Sequence, residues 1–238
     1  RILDLKRQLD REMAEIARED QGLLRVAFPL VRGSYILPNV LPAFHQLHPH
    51  VRVEVQEMDS SRLQSMLLQG DIDLAIFSQR EIDSRLHYEP IAEEEYVLIL
   101  PPGHPLIQTA HRGKQKYPWI DLASVANEDF IMLEGGQRSK AFMEKIFHDN
   151  KIEPRVVLTL RNNSTVIQMV NAGYGFSFVL ESHILNLPKN KRPRCFSIGE
   201  EGVRMKCVAA CRADSFHPRY EQDFIRMVRD FYENMLHA

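Results

Sequence analysis

The sequence predicts an α/β fold of two Rossmann-like lobes joined by two crossovers. Three observations carry that expectation. From Leu23 onward, short apolar runs of strand length alternate with apolar residues at helical spacing. The alternation comes in two sets. A late strand, Val203–Cys211, then returns ahead of a final amphipathic helix. Strands alternating with helices argue for parallel sheets. The crossovers are expected near Glu93–Tyr96 and Gly199–Arg204. That gives lobe I as residues 22–94 with 204–238 and lobe II as residues 95–203, with residues 1–21 ahead of both.

Residues 2–20 read as a charged helix with Ile2, Leu5, Leu9 and Ile16 on a/d-type positions and Glu12 breaking the seam. So narrow a stripe suggests a partner helix; a terminal helix packed on its own domain is the alternative. Gly22 stops it. Leu23–Phe28 is a short apolar run typical of a buried parallel strand. After Pro29, apolar residues recur at Ile36, Leu37, Val40, Leu41, Phe44 and Leu47. Pro38 is expected to kink that helix or to mark its true start. Val51, Val53 and Val55 alternate with Arg52, Glu54 and Gln56, as a strand requires. Asp59 or Ser60 caps a helix carrying Leu63, Met66 and Leu67, which Gly70 ends. Ile72–Phe77 supplies a third buried strand.

In the second set, Tyr96–Leu100, Phe130–Leu133, Val156–Leu160 and Phe176–Leu180 read as strands, with helices over about 138–149 and 164–172. The last helix, about 218–236, carries Phe224, Ile225, Val228, Phe231, Tyr232 and Met235 on one face.

Composition narrows the class. The 238 residues are 44% hydrophobic and 26% charged, enough to bury a core without staples. Thirty Lys and Arg against 32 Asp and Glu give a net charge of −2, so the chain as a whole is no basic nucleic-acid binder. Three cysteines cannot close a disulfide framework and fit a reducing compartment. No apolar run approaches the roughly 18 residues that span a bilayer. The first residues lack a signal peptide's apolar stretch and an initiator Met. A trimmed or fragmentary chain of a soluble, cytoplasmic protein is expected, with no membrane partner.

Several segments in order carry a family likeness. They begin with Gly22-Leu23-Leu24-Arg25-Val26-Ala27, Ile36-Leu37-Pro38, Leu41-Pro42-Ala43-Phe44 and Pro49. Gln69-Gly70-Asp71-Ile72-Asp73-Leu74-Ala75-Ile76 is the most recognisable. Glu95-Tyr96-Val97-Leu98-Ile99-Leu100-Pro101, His104-Pro105-Leu106, Asp121-Leu122-Ala123, Phe130-Ile131-Met132-Leu133 and Val170-Asn171-Ala172-Gly173-Tyr174-Gly175 complete the series. Through these, from about Gly22 to the C-terminus, the chain resembles the effector-binding domain of a LysR-type transcriptional regulator. Two positions depart from the pattern. Ala27 stands where the family often has Gly, and Phe178-Val179-Leu180-Glu181 stands where it commonly has a proline.

The resemblance implies a type 2 periplasmic-binding-protein-like fold with a small-molecule effector between the lobes. Residues 1–21 would then be the end of a linker helix. It further implies a homodimer or tetramer, promoter DNA bound through an N-terminal winged helix-turn-helix outside this chain, and RNA polymerase as a candidate partner.

In an open α/β sheet, ligands bind beyond the carboxyl ends of the strands. That rule selects the turn holding Pro29, Leu30, Val31, Arg32 and Ser34, and the strand end at Ser78. In the second lobe it selects Gly135 and Gly136 and the helix start Asn163, Ser164 and Thr165. Backbone N–H groups at two helix starts favour an anion. Arg32 could add a formal charge, while Ser34, Ser78, Ser164 and Thr165 could orient a carboxylate or hydroxyl. Each has a plainer alternative: Ser164 as a helix cap, Arg32 as a solvated charge, Gly135-Gly136 as a tight turn.

No catalytic set, metal site or cofactor is expected. His48 and His50 could share a metal, but His45, His48 and His50 read rather as exposed polar residues at a helix end. Cys207 and Cys211 face one side of a strand as core residues, too far apart for a disulfide and without further ligands. Glu93-Glu94-Glu95 reads as a solvated rim and Lys189–Arg194 as a basic surface loop. Gly173-x-Gly175 precedes a strand and so is no dinucleotide fingerprint. An effector sensor is the leading reading. A transport-type solute-binding protein shares the two-lobed fold and is the runner-up, and an enzyme comes third.

Overall fold

The computed structural model describes Lys6, Met13 and residues 22–79, 81–133 and 138–237. Lys6 and Met13 are helical and exposed; the rest of the helix expected over 2–20 lies outside the described residues. In chain order the elements are β1 (Gly22–Pro29), α1 (Leu30–Leu47), β2 (Val51–Met58), α2 (Leu63–Gln69), β3 (Leu74–Ser78), β4 (Leu86–Leu100), β5 (Trp119–Ile120) and β6 (Asp129–Leu133). They continue with α3 (Arg138–Asp149), β7 (Arg155–Leu160), α4 (Asn163–Asn171), β8 (Ser177–Leu180), α5 (Glu181–Leu185), β9 (Arg194–Ile198), β10 (Val203–Arg212) and α6 (Arg219–His237). Two compact units result, residues 1–92 with 206–238 and residues 93–205, and the chain passes between them inside β4 and inside β10. Among the described residues no helix is long and apolar enough to cross a membrane.

In the first unit β1 is central. It runs parallel to β2 from Gly22↔Val51 to Pro29↔Met58 and parallel to β3 at Val26↔Leu74 and Ala27↔Ala75. Successive side chains point to opposite faces of a strand, and here both faces are covered. Leu24, Val26 and Phe28 of β1, Leu74 and Ile76 of β3, and Cys207 and Ala209 of β10 meet α1 and α6 in one core. Ala27, Ala75, Phe77, Val208 and Ala210 meet Leu63 and Leu67 of α2 in the other. Two covered faces are why Leu74–Phe77 reads as an unbroken apolar run.

The second unit repeats the scheme. Tyr96, Leu98 and Leu100 of β4 and Phe178 of β8 join Phe142, Met143, Ile146 and Phe147 of α3. Val97, Ile99 and Val179 face Val166, Ile167 and Val170 of α4. β6 and β7 form a parallel pair, with Phe176 bridged to Phe130.

The sheets are mixed, which corrects the parallel expectation. β10 is antiparallel to β3, and β4 is antiparallel to β8 and β9. The strands joined by short loops, β3 to β4 and β9 to β10, are not neighbours. β10 pairs with β3 and β9 with β4, so these pairings come from strands distant in sequence, whose direction the local alternation does not encode. β4 also begins at Leu86, ahead of the predicted Tyr96, because polar residues and Pro90 mask its first half.

Helix α1 corrects a second expectation. It starts at Leu30, directly after the extended Pro29 (φ −60°, ψ 141°), and runs through both Pro38 and Pro42. The segment read as a turn over 29–34 is therefore its first turn and a half. Ser34, Pro38 and Pro42 lie on one exposed stripe. The carbonyls of residues 34 and 38, whose donors those prolines remove, face water rather than core. Asp59 caps no helix directly: its Oδ1 accepts from Ser61 N–H at 2.9 Å in a turn that precedes α2.

The segment Gln69–Ile76 has a physical basis. Gly70 ends α2 in the left-handed region at φ 74°, where a Cβ is strained. The buried Arg25 then pins the chain as it leaves the helix, donating to the Gly70 and Asp71 carbonyls at 2.8 and 3.0 Å and bracing both oxygens of Asp73.

Candidate functional site

At the carboxyl end of β1, Pro29 turns the chain into α1. It offers no side-chain acceptor, and no acidic residue stands in the first turn. A carboxylate comes close from β2 instead: the exposed Glu57 places its Oε1 where a Cβ on Gly33 would be, so a side chain there would have to push Glu57 aside. Leu30 is exposed and Val31 half-buried. Ser34 is exposed and donates to the Val31 carbonyl at 2.7 Å.

Arg32 is only 2% exposed, which corrects the alternative of a solvated charge. Its Nη2 donates to Ser78 Oγ at 2.9 Å, and its Nη1 reaches Cys207 Sγ at 3.2 Å and the Tyr232 hydroxyl. The Tyr232 and Tyr35 hydroxyls share a hydrogen bond at 3.0 Å. Arg32 thus joins α1, the end of β3, β10 and α6 at one buried point. The guanidinium fixes the Ser78 side chain at the carboxyl end of β3.

In the second unit, Asn162 caps α4, its Oδ1 accepting from Ser164 N–H at 2.8 Å. Capping therefore belongs to Asn162 rather than to Ser164. Asn163 is buried, whereas Ser164 and Thr165 are exposed on the first turn. Gly135 and Gly136 lie outside the described residues. The site residues of the first unit thus gather around Arg32 and Ser78, and those of the second at the α4 start.

Three further clusters are missed by sequence reasoning. His48 is buried, not exposed: its Nε2 is 3.0 Å from Asp223 Oδ2, and its ring packs on Phe44 at 5.2 Å between centroids. The docking of α1 on α6 buries it. Likewise Glu94 and Glu95 are buried rather than a solvated rim, because β4 continues through them into the core. Beside them Glu181 accepts from Glu95 N–H at 2.9 Å, from Lys116 Nζ at 2.9 Å and from the Tyr117 hydroxyl at 3.0 Å. Burial, reinforced by the Glu181 charge, pushes the Tyr117 hydroxyl far above its usual range and the Cys195 thiol up to about 12. Burial also raises the Glu95 carboxyl, whose Oε1 has no hydrogen-bond partner among the described residues.

The third cluster joins Cys211, His217 and Glu221, correcting the expectation that Cys211 lacks further ligands. His217 Nδ1 is 2.8 Å from Glu221 Oε1, and its Nε2 is 3.8 Å from Cys211 Sγ and 3.1 Å from the Arg212 carbonyl. With acceptors on both ring nitrogens, the imidazolium is favoured; Cys211 and then Glu221 raise the His217 pKa to about 10. The legible signal was the His217-x-x-x-Glu221 spacing at a helix start.

Known proteins share this chain's pattern. The family model described as LysR substrate binding domain matches residues 17–233. The HTH-type transcriptional regulator CfxR of Cupriavidus necator is 32% identical over 189 residues, covering 79% of this chain and 56% of CfxR. CysL of Bacillus subtilis, also named an HTH-type transcriptional regulator, is 21% identical over 216 residues, covering 91% and 70%. The chain spans about half the length of the first curated relatives it matches, 56% in the case of CfxR. Among solved structures, the regulatory domain of Synechocystis PCC6803 CcmR in complex with 2-PG superposes with a TM-score of 0.77 at 23% identity, over 90% of this chain and 99% of that one. The BenM effector binding domain with benzoate gives 0.73 at 19% identity, over 91% and 95%. These likenesses identify the type 2 periplasmic-binding-protein-like fold. Since the relatives are transcriptional regulators, neither an enzyme nor a transport protein is the reading they favour. By sequence and fold together, the chain belongs to the LysR substrate-binding domain family.

Proposed function

We propose that this chain is the sensing part of a cytoplasmic transcriptional regulator and binds a small anionic effector. The family match over residues 17–233 carries the reading. Pro29, Leu30, Val31, Arg32, Ser34 and Ser78 are the proposed effector residues of lobe I, taken as 22–94 with 204–238. Gly135, Gly136, Asn163, Ser164 and Thr165 are those of lobe II, taken as 95–203. Arg32 acts mainly by holding Ser78, since its own donors are engaged. Two helix starts with backbone N–H groups at strand ends suit a carboxylate or phosphate.

In the whole protein, residues 1–21 end a linker helix, and a winged helix-turn-helix ahead of it binds promoter DNA. The regulator works as a homodimer or tetramer and contacts RNA polymerase. Effector binding acts by preferring one arrangement of the assembly over another.

A thermal-shift screen tests the sensor reading, using 2-PG, benzoate, shikimate, amino acids and inorganic anions. A ligand at 100 times its Kd adds roughly 2.7 kcal/mol, which moves the midpoint on the order of 5–10 °C for a chain this size. Thr165→Ala and Ser78→Ala should each weaken the shift. A shift indifferent to both would move the site, and a broad panel with no shift would count against an anionic effector.

A further inference from the structure

Cys211 lies near the end of β10, His217 just ahead of α6, and Glu221 in the first turn of α6. One donor atom from each lies within 4.8 Å of the other two. The Sγ to Nε2 separation is 3.8 Å. A tetrahedral ion bonding sulfur at about 2.3 Å and nitrogen at about 2.0 Å would hold that pair about 3.6 Å apart. The Arg212 carbonyl oxygen faces the same nitrogen at 3.1 Å. Sulfur, nitrogen and oxygen donors therefore already converge beside Nε2.

We propose that Cys211, His217 and Glu221 form a binding site for a divalent transition-metal ion of the Zn2+ class. The Cys211 thiolate and His217 Nε2 are its ligands. The Glu221 carboxylate, bound to Nδ1 at 2.8 Å, fixes the ring in the way metal-binding imidazoles are commonly held. Thiolate with imidazole selects zinc-like ions over magnesium or calcium, which prefer oxygen alone.

Access and charge both fit. The three residues line a cleft of about 420 Å³ that also receives His87 and Glu89. Its arginines are drawn to acids away from the thiol: Arg229 pairs with Glu89 at 3.1 Å, and Arg226 and Arg219 share Asp223 at 2.6 and 3.9 Å. Glu221 is 1% exposed, so its negative charge is shielded from water and favours a nearby cation. Binding releases the protons on Sγ and Nε2, as thiolate and imidazole coordination requires.

The test uses the 238-residue chain, reduced and stripped with a chelator. It is titrated with Zn2+ against a metallochromic indicator, and a parallel sample receives Co2+ for absorption spectroscopy. The expected result is one equivalent of Zn2+ per chain and a thiolate-to-cobalt charge-transfer band. Cys211→Ser should abolish that band, and Glu221→Gln should weaken Zn2+ binding about 10- to 100-fold. Cys195→Ser should leave both unchanged. Failure of the unaltered chain to bind Zn2+ stoichiometrically, or a cobalt spectrum without the band, overturns the proposal. The unaltered chain's spectrum decides this even if Cys211→Ser does not fold. Binding that persists unchanged in a folded Cys211→Ser chain overturns it equally.

Discussion

Two of the helix starts that come after strand ends, α1 in the first unit and α4 in the second, meet the same problem differently. Each must satisfy backbone N–H groups that have no intrahelical acceptor. At α4 the chain supplies the answer locally, with Asn162 capping Ser164 N–H at 2.8 Å. At α1 the cap position is Pro29, whose side chain accepts no hydrogen bond, and the exposed Glu57 of β2 lies close to Gly33. The residues of the first turns differ as well. Arg32 is buried and bound to three other elements, whereas Ser164 and Thr165 point outward. A start capped locally can lend exposed hydroxyls to a ligand, while one whose first turn carries a buried arginine bonded to distant elements is a joint in the core.

Arg32→Met should have the largest effect. It takes a buried charged donor away from Ser78 Oγ, Cys207 Sγ and the Tyr232 hydroxyl, costing about 2–4 kcal/mol. The midpoint should fall on the order of 10 °C in a thermal scan. A loss near zero would mean that the α1 start is not the joint described. Asn162→Ala should cost about 1 kcal/mol, as loss of a good cap does, and lower the midpoint by roughly 2–4 °C. If the two substitutions cost the same, the contrast between the helix starts disappears.

Glu95→Gln probes the second unit's buried carboxyl. Burial raises the Glu95 pKa in the folded chain, so the folded state holds its proton more tightly than the unfolded state does. Its contribution to stability is full below the unfolded value of roughly 4.3 and is lost as pH rises through the folded value. The substitution should therefore raise the midpoint by a few degrees near pH 7 and have almost no effect near pH 4, about the unfolded value. A constant gain across that range would show that ionisation is not the cause. The smallest effect on stability belongs to Glu57→Gln, within about 0.5 kcal/mol at an exposed position. It should nevertheless tighten an anion at the α1 start, measured as a larger ligand-induced midpoint shift; an unchanged shift would place the anion elsewhere.

The readable elements share a cause. Val26, Leu74 and Ile76, or Val97, Leu98 and Ile99, sit on strands covered on both faces, so burial shows directly as an unbroken apolar run. The first half of β4 was illegible because His87-Tyr88-Glu89-Pro90 looks like loop. The extent of α1 was obscured by two prolines whose cost depends on which side of the helix meets water. The α4 start was legible as a polar helix opening, although its cap is Asn162 instead of Ser164.

The sequence by itself determined the alternation of strands and helices, the final amphipathic helix and the left-handed position at Gly70, because each depends on neighbours a few residues away. Tertiary structure alone decided that Arg32, Glu95 and His48 are buried, that β10 runs antiparallel to β3, and that Cys211 meets His217 and Glu221. Burial and hydrogen-bond partnership are properties of pairs brought together by folding: Arg32 and Tyr232 are 200 positions apart. No local pattern of polarity encodes which distant group will receive a charge once water has been excluded.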